Sequence, residues 1–181
     1  MSGRMLWAHP TVLVVTGLPG TGKSTLADRV AESVGAPSFS GDWLFGAIAP
    51  SGALDDLERS VTLGIYEGLL RSLFTRQLML GQSAVLDCIA CDRLIEEWAG
   101  VAARLGGRLL TVECVCSDEE VHRSRIEGRT RNIPGWHEID WSHVEFMRLE
   151  LEPLRVERLA VDAMDPVENN VAKVLAHSGH N

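Results

Sequence analysis

The sequence predicts an α/β fold in which a five-stranded parallel sheet carries helices on both faces and a helical lid. Short apolar runs alternate with longer stretches of helical periodicity along the 181 residues, and such alternation is typical of right-handed βα units. The first apolar run, Thr11 to Thr16, is followed by a glycine-rich loop and then by a helical stretch, Lys23 to Val34. The glycine-rich loop between a strand and a helix is the most informative part of the chain.

This loop reads Gly-Leu-Pro-Gly-Thr-Gly-Lys-Ser-Thr over residues 17–25 and fits the Walker A pattern of P-loop NTPases. Its glycines let the backbone approach phosphate, and its N–H groups and the helix N-terminus face an anion. Lys23 is expected to contact the β- and γ-phosphates, and the Ser24 hydroxyl is the expected Mg²⁺ ligand. The predicted cofactors are therefore ATP and Mg²⁺, with the choice between ATP and GTP left open. The predicted nucleotide-binding residues here are Gly17, Gly20, Thr21, Gly22, Lys23, Ser24 and Thr25.

Composition narrows the class of protein. Apolar residues make up 45% and charged residues 23%, and the formal net charge is −8. An acidic chain is a poor general binder of nucleic acid or anionic membranes, so a nucleic-acid partner is disfavoured, although a local basic patch keeps it open. No apolar run reaches the ~20 residues of a membrane span, and residues 1–10 lack a signal-peptide pattern. We expect a cytoplasmic protein without a membrane partner, and the oligomeric state is not predicted.

Four cysteines, Cys88, Cys91, Cys114 and Cys116, suggest a zinc site by their C-x-x-C and C-x-C spacing. The last two alternate along a predicted buried strand, where a free thiol behaves as a small hydrophobe. Because the spacing differs from ordinary zinc patterns, free thiols are the favoured interpretation.

Asp42 follows a short second strand, Ser38 to Ser40. Ligands of open parallel sheets bind outside the carboxyl ends of the strands, so Asp42 is a candidate catalytic base or orienting group for an acceptor hydroxyl. The alternative is that Asp42 caps a helix that begins near residue 43.

An acceptor-binding region is predicted over about residues 43–80. It contains a turn over 47–54 and a long helix over 55–80. Apolar residues of this helix lie near i, i+4 spacing: Leu57, Val61, Ile65, Leu69 and Leu73.

The third strand, Ser83 to Asp87, ends in a carboxylate like a Walker B segment. Asp87 is therefore a candidate Mg²⁺ ligand or acceptor contact, and a turn or helix-capping role is the alternative. A helix over 92–105 and a strand over 108–115 follow.

The next helix begins with a capping box, Ser117 to Glu120, and carries Arg125 and Arg129 on one face. These guanidiniums could bind nucleotide phosphates and stabilise charge during transfer, or they could form a solvated face paired with nearby glutamates. A lid over about 125–140 follows, then a helix over 141–151 capped by Asp140. Substrate contacts of four lid residues stay open: His137, His143, Trp136 and Trp141. A strand over 158–161 and a helix with Pro166 at its first position end the fold near residue 177.

The segment Arg125-Ile126-Glu127-Gly128-Arg129 resembles the R-I-x-G-R element before the lid in adenylate kinases, which belong to the nucleoside-monophosphate-kinase-like P-loop kinases. This resemblance implies that Arg125 lies against the adenine and Arg129 on the phosphates. The loop of residues 162–166 resembles the one that passes the adenine in those enzymes.

A closer resemblance is to the subgroup of zeta-toxin-like kinases, chloramphenicol phosphotransferase and phage polynucleotide kinase. It covers about residues 12–176 and implies an AAA-domain ATP-binding protein. In that subgroup an Asp after the second strand takes the acceptor proton, and Asp42 matches its place. Residues 43–80 match no adenylate-kinase pattern, so the acceptor is not named.

These observations predict a single P-loop kinase domain over residues 1–181, with a core of about 11–177. The expected activity is ATP- and Mg²⁺-dependent phosphorylation of a hydroxyl group on a small molecule. Lys23, Asp42 and Arg129 are the predicted catalytic residues, Arg125 joins the nucleotide-binding set, and Ser24 and Asp87 are the predicted metal ligands. The alternatives are a polynucleotide 5′-hydroxyl kinase, a regulatory nucleotide-hydrolysing switch, and a nucleotide-binding scaffold that has lost catalysis.

Overall fold

The computed structural model describes residues 7–179 and places five strands in one parallel sheet. The strands are β1 (Thr11–Thr16), β2 (Ser38–Ser40), β3 (Ala84–Asp87), β4 (Arg108–Val115) and β5 (Leu159–Asp162). Their order across the sheet is β2-β3-β1-β4-β5. The predicted five-stranded parallel α/β fold is confirmed.

The described residues also form seven α-helices and one 3-10 turn, Ala49–Ser51. None of the helices within residues 7–179 has the length and apolar character of a membrane span. The helices are α1 (Lys23–Val34), α2 (Gly41–Ile48), α3 (Arg59–Met79), α4 (Asp92–Arg104), α5 (Glu119–Glu127), α6 (Trp141–Glu150) and α7 (Val167–His177).

The core lies on both faces of the sheet because successive side chains of a strand point to opposite sides. On β1, Val12 and Val14 pack into a cluster with α3 and α4, whereas Leu13 and Val15 pack against α1 and α7. All four are fully buried. The central strand is therefore apolar throughout, as parallel strands covered on both faces are.

The acceptor region differs most from the prediction. Helix α3 begins at Arg59 rather than near 55, because Asp56 has a left-handed φ of 60° and Glu58 is extended. Two residues of the predicted apolar stripe, Leu57 and Val61, are exposed. The side chains of α3 that are fully buried are instead Leu70, Phe74 and Leu78, so the buried face lies one position away from the predicted stripe and only in the second half of the helix.

Two helix caps also differ from the prediction. The cap of α5 is Asp118, whose carboxylate accepts a hydrogen bond from the Val121 N–H, and not Ser117. Pro166 precedes α7 as its cap residue rather than its first helical residue. Asp140 caps α6 as predicted, accepting from the His143 N–H.

Candidate active site

The P-loop, residues 17–22, connects β1 to α1 and requires its glycines. Gly17, Gly20 and Gly22 have φ angles of 142°, 87° and 80°, which side chains of L-residues rarely adopt. Space is also limited, since a Cβ on Gly17 would clash with the Cys114 carbonyl oxygen. The loop conformation is thus specified both by dihedral angle and by close packing.

Thr21 has a role inside the loop. Its hydroxyl donates to the Leu18 carbonyl oxygen at 2.7 Å, and its side chain is buried. This bond closes the loop on itself, so the contribution of Thr21 to a ligand comes from its backbone.

A cleft of about 900 Å³ opens at the carboxyl ends of the strands beside the P-loop. All the site residues predicted from the sequence line it, except Gly17 and Asp42. Gly17 lies behind the loop against β4. Asp42 lies at the margin, next to a side chain that does line the cleft.

Asp87 ends β3 and lies opposite Val15 in the sheet register, two residues before the P-loop. Its carboxylate is 5% exposed, and its Oδ1 has no hydrogen-bond partner in residues 7–179. Burial raises the pKa of Asp87, although the Lys23 ammonium and the Ser24 hydroxyl act in the opposite direction. The cap of α4 is Cys91, so Asp87 does not have the alternative helix-capping role.

These groups fit a magnesium ion. Mg²⁺ is commonly held by one or two carboxylates together with substrate phosphates. The Asp87 oxygen, which has no partner among the described residues, lies beside the Ser24 hydroxyl and offers such a donor set. A site of three or more His, Cys, Asp or Glu ligands does not occur in the described part of the chain. The four cysteines form no disulfide.

Arg125 bridges α5 to the loop after β5. Its Nη2 donates to the Ala163 carbonyl oxygen at 2.9 Å, and its Nη1 lies 3.7 Å from the Cys116 sulfur. Arg125 therefore lines the cleft with a guanidinium fixed by backbone. The solvated arginine face that was the alternative applies to Arg123, which pairs with Glu127 at 2.8 Å.

Arg129 and Arg131 lie together just after α5. The Nε and Nη2 atoms of Arg129 and the Nε of Arg131 are buried without a hydrogen-bond partner in residues 7–179. Burial lowers the pKa of Arg129, and the neighbouring Arg131 guanidinium adds to this effect. Buried guanidinium donors without partners indicate an anion site.

Arg131 lines the cleft as well, although no motif in the sequence marks it as a site residue. Its Nη1 lies 2.6 Å from Asp42 Oδ2, and it lines the cleft where Asp42 does not. The only signal in the sequence was a further arginine two residues after Arg129, in a segment without helical periodicity.

Asp42 is the second residue of α2, whose cap residue is Ser40. The alternative that Asp42 caps this helix is therefore wrong. The sheet register places Ser40 opposite Asp87, so α2 begins at the edge of the sheet where the cleft lies.

Helix α5 takes up the first residues of the predicted lid of 125–140. The rest of it, residues 128–140, is the lid segment and packs on α2. The rings of Trp136 and Phe45 meet edge to face with centroids 5.9 Å apart. A Cβ on Gly46 would lie 2.5 Å from the Pro134 carbonyl oxygen, and one on Gly135 would clash with the Gly46 carbonyl oxygen. Glycine on both sides thus permits a close approach of two backbones.

The four lid residues whose contacts were open have packing or surface positions. Trp136 packs on Phe45 and His137, and Trp141 packs on His122. His143 is exposed, and its backbone N–H donates to Asp140. None of these four side chains lines the cleft.

Solved structures share this fold. A gluconokinase from Sinorhizobium meliloti superposes with a TM-score of 0.69 at 24% identity, over 94% of this chain and 93% of the other. The APS kinase of Mycobacterium tuberculosis gives 0.62 at 14% identity, over 93% and 96% of the two chains. Kti12 of Chaetomium thermophilum, in complex with ADP-AlF3, gives 0.67 at 15% identity, over 91% and 97%. At these identities the likeness shows a shared fold alone.

Comparison of sequences gives a family assignment. No curated protein matches the chain. The profile of the AAA-domain family matches residues 12–154, which include the P-loop, Asp87 and the arginines of the lid. Since this match spans most of the sequence, the chain belongs to the AAA-domain family.

Proposed function

We propose that the protein is a kinase that uses Mg·ATP to phosphorylate a hydroxyl group on a small molecule. One observation carries the proposal: three kinds of group that phosphoryl transfer requires face a single cleft. They are the P-loop with Lys23, together with the Asp87 oxygen and the Arg129 guanidinium donors that have no hydrogen-bond partner within residues 7–179. Catalysis of this reaction is mainly positioning and charge stabilisation, and these groups suit both tasks.

The nucleotide would bind through the loop. The backbone N–H groups and the Lys23 ammonium would hold the β- and γ-phosphates. Ser24 and Asp87 would hold Mg²⁺, which would neutralise charge on the same phosphates. Arg125 would border the base, and Arg129 would donate to the oxygens of the phosphoryl group as charge moves during transfer.

The acceptor would bind toward α2. Asp42 would accept or orient the proton of the acceptor hydroxyl, and Arg131 Nη1 holds one of its two carboxylate oxygens. Trp43, which is 55% exposed, lines the cleft together with Ser38 and Ser40. An aromatic face beside hydroxyls suits a small polar molecule. Because one protein of the same fold is a gluconokinase, sugars and sugar acids are the first acceptors to test.

A second candidate is a regulatory nucleotide-hydrolysing protein whose only acceptor is water. The observation that favours it is that Arg131 pairs with Asp42 and lines the cleft, whereas Asp42 itself does not line it. Kti12, bound to ADP-AlF3, has the same fold. The two candidates differ in whether turnover depends on an acceptor.

The deciding experiment measures Mg·ATP consumption with a panel of acceptors: sugars, sugar acids, nucleosides, antibiotics and 5′-hydroxyl oligonucleotides. The Asp42→Asn and Lys23→Ala variants serve as comparisons. Stimulation by one small-molecule class, lost in both variants, is the expected result. Stimulation by oligonucleotides alone would favour the polynucleotide kinase. Turnover without an acceptor that survives Asp42→Asn would favour the hydrolysing switch, and nucleotide binding without turnover would indicate the scaffold.

A further inference from the structure

His122 contacts the P-loop from outside the cleft. It belongs to α5, is 2% exposed, and its Nε2 lies 2.7 Å from the Pro19 carbonyl oxygen. Because a carbonyl oxygen can only accept, Nε2 carries the proton and donates it. His122 does not line the cleft, so this bond pulls the Pro19 carbonyl away from the space where phosphates would lie.

The orientation of that carbonyl fixes the orientation of an amide. The peptide unit between Pro19 and Gly20 is planar and trans, so its C=O and N–H groups point in opposite directions. Gly20 lines the cleft. Holding the Pro19 carbonyl on His122 therefore turns the Gly20 N–H toward the cleft. Glycine has access to many other dihedral angles, so the sequence of the loop does not fix this peptide plane by itself.

The His122 ring is held in turn by Trp141, the first residue of α6. The two rings meet edge to face, with centroids 5.1 Å apart and an interplanar angle of 88°. Trp141 and Ile126 belong to a small buried cluster against which Leu18 of the P-loop also packs. This cluster is separate from the two clusters on the faces of the sheet. It supports the P-loop from the side of α5 and α6.

We propose that His122 is a positioning residue of the nucleotide site: it orients the Gly20 N–H toward the bound phosphates by donating to the Pro19 carbonyl. Trp141 keeps the imidazole in place for this bond. The effect of His122 on nucleotide affinity rests on the proposed nucleotide-binding function. The orientation of the loop does not rest on that function, and it can be measured in the protein without a ligand.

The test separates the hydrogen bond from the packing of the ring. His122→Phe keeps a ring against Trp141 but loses the donor, whereas His122→Gln keeps an N–H near the Nε2 position. Val144→Ala is the matched control, because Val144 is fully buried in the same cluster. Calorimetry with Mg·ATP should show His122→Phe binding about tenfold more weakly, as expected for an unpaired buried carbonyl. His122→Gln should bind close to wild type, and Val144→Ala should lose thermal stability but keep its affinity.

A second readout uses protein labelled with ¹⁵N-glycine and no nucleotide. The Gly20 amide resonance should shift in His122→Phe and stay in place in Val144→Ala. If wild-type protein does not bind Mg·ATP, the proposed function fails and this resonance alone decides the inference. Three results would overturn the inference. They are wild-type Mg·ATP affinity in His122→Phe, a loss of affinity in Val144→Ala equal to that in His122→Phe, and a Gly20 resonance that does not move in His122→Phe. Should His122→Phe not fold, His122→Asn, whose shorter amide does not reach Pro19, takes its place.

Discussion

Arg131 Nη1 lies 2.6 Å from Asp42 Oδ2, and this ion pair joins the lid segment to the start of α2. The two side chains are 14% and 28% exposed, so the pair is shielded from solvent more than an ordinary surface pair. Trp136 on Phe45 and Gly135 beside Gly46 reinforce the same junction. The proposed catalytic base therefore does not act independently of the lid.

This pairing predicts energetic coupling between Arg131 and Asp42 in catalysis. Asp42→Asn should lower kcat by about 10²- to 10⁴-fold, the usual contribution of a general base, while Mg·ATP affinity stays near wild type. Arg131→Ala should raise the acceptor KM because the carboxylate loses its anchor. The double variant should lose less transition-state stabilisation than the two single variants lose in sum, and the difference should be about 0.5–3 kcal/mol. Steady-state kinetics of the four proteins measures this, and strict additivity would show that the pair plays no joint part in catalysis.

Loss of the Arg129 side chain should affect kcat and not the affinity for Mg·ATP. Its Nε and Nη2 atoms, which have no hydrogen-bond partner in the described part of the chain, would bond most strongly to the phosphoryl group during transfer, when charge develops on it. Arg129→Ala should therefore lower kcat by about 10²- to 10³-fold, the effect of removing one preorganised donor, with little change in Mg·ATP affinity. Arg29→Ala is the control, since Arg29 is exposed and pairs with Glu32 on the surface. An equal loss of affinity and rate in Arg129→Ala would assign Arg129 to ground-state binding instead.

Alanine substitutions at two helical glycines test whether the packing of the lid segment on α2 matters for catalysis. A methyl group on Gly46 would press on Pro134 and Ile133, whereas one on Gly64 in α3 would have no atom of residues 7–179 within 4 Å. Gly46→Ala should lower kcat/KM for the acceptor by about 10- to 100-fold, because the lid groups would be displaced. Gly64→Ala should raise the free energy of unfolding by about 0.5–1 kcal/mol, the usual gain of alanine over glycine in a helix, and leave kinetics unchanged. Unaltered kinetics in Gly46→Ala would mean that the lid position seen here is not the catalytic one.

The sequence predicts the P-loop half of the site well because local rules specify it. The bounds of β1, α1 and β2 match the prediction, since apolar runs, glycines and helix breakers lie next to one another along the chain. Asp87 could be placed at the cleft because a strand that ends in a carboxylate needs only the parallel topology to reach it.

The rest of the site depends on contacts between segments far apart in the sequence. Asp42 and Arg131 are 89 residues apart, and their pairing follows from how the lid packs on α2, which periodicity does not reveal. No strong signal in the sequence predicts the left-handed φ of Asp56, because of which α3 begins later than predicted. The bond from His122 to Pro19 spans 103 residues, and a histidine in a helix with many charged residues is more typical of an exposed position.

Burial of Asp87 predicts a specific dependence of stability on pH. Because the folded-state pKa of Asp87 is raised, the unfolded chain releases this proton at lower pH than the folded protein does. The stability of wild type relative to Asp87→Asn should be greatest below the unfolded pKa of about 3.9 and should fall as pH rises through the folded-state pKa. Urea unfolding without Mg²⁺ at a series of pH values measures this difference. Added Mg·ATP should stabilise wild type near pH 7 and have far less effect on Asp87→Asn, since the carboxylate proposed to hold the metal is gone. If the difference in unfolding free energy between the two proteins does not depend on pH, burial does not raise the pKa of Asp87. If Mg·ATP stabilises both proteins equally, Asp87 does not hold the metal.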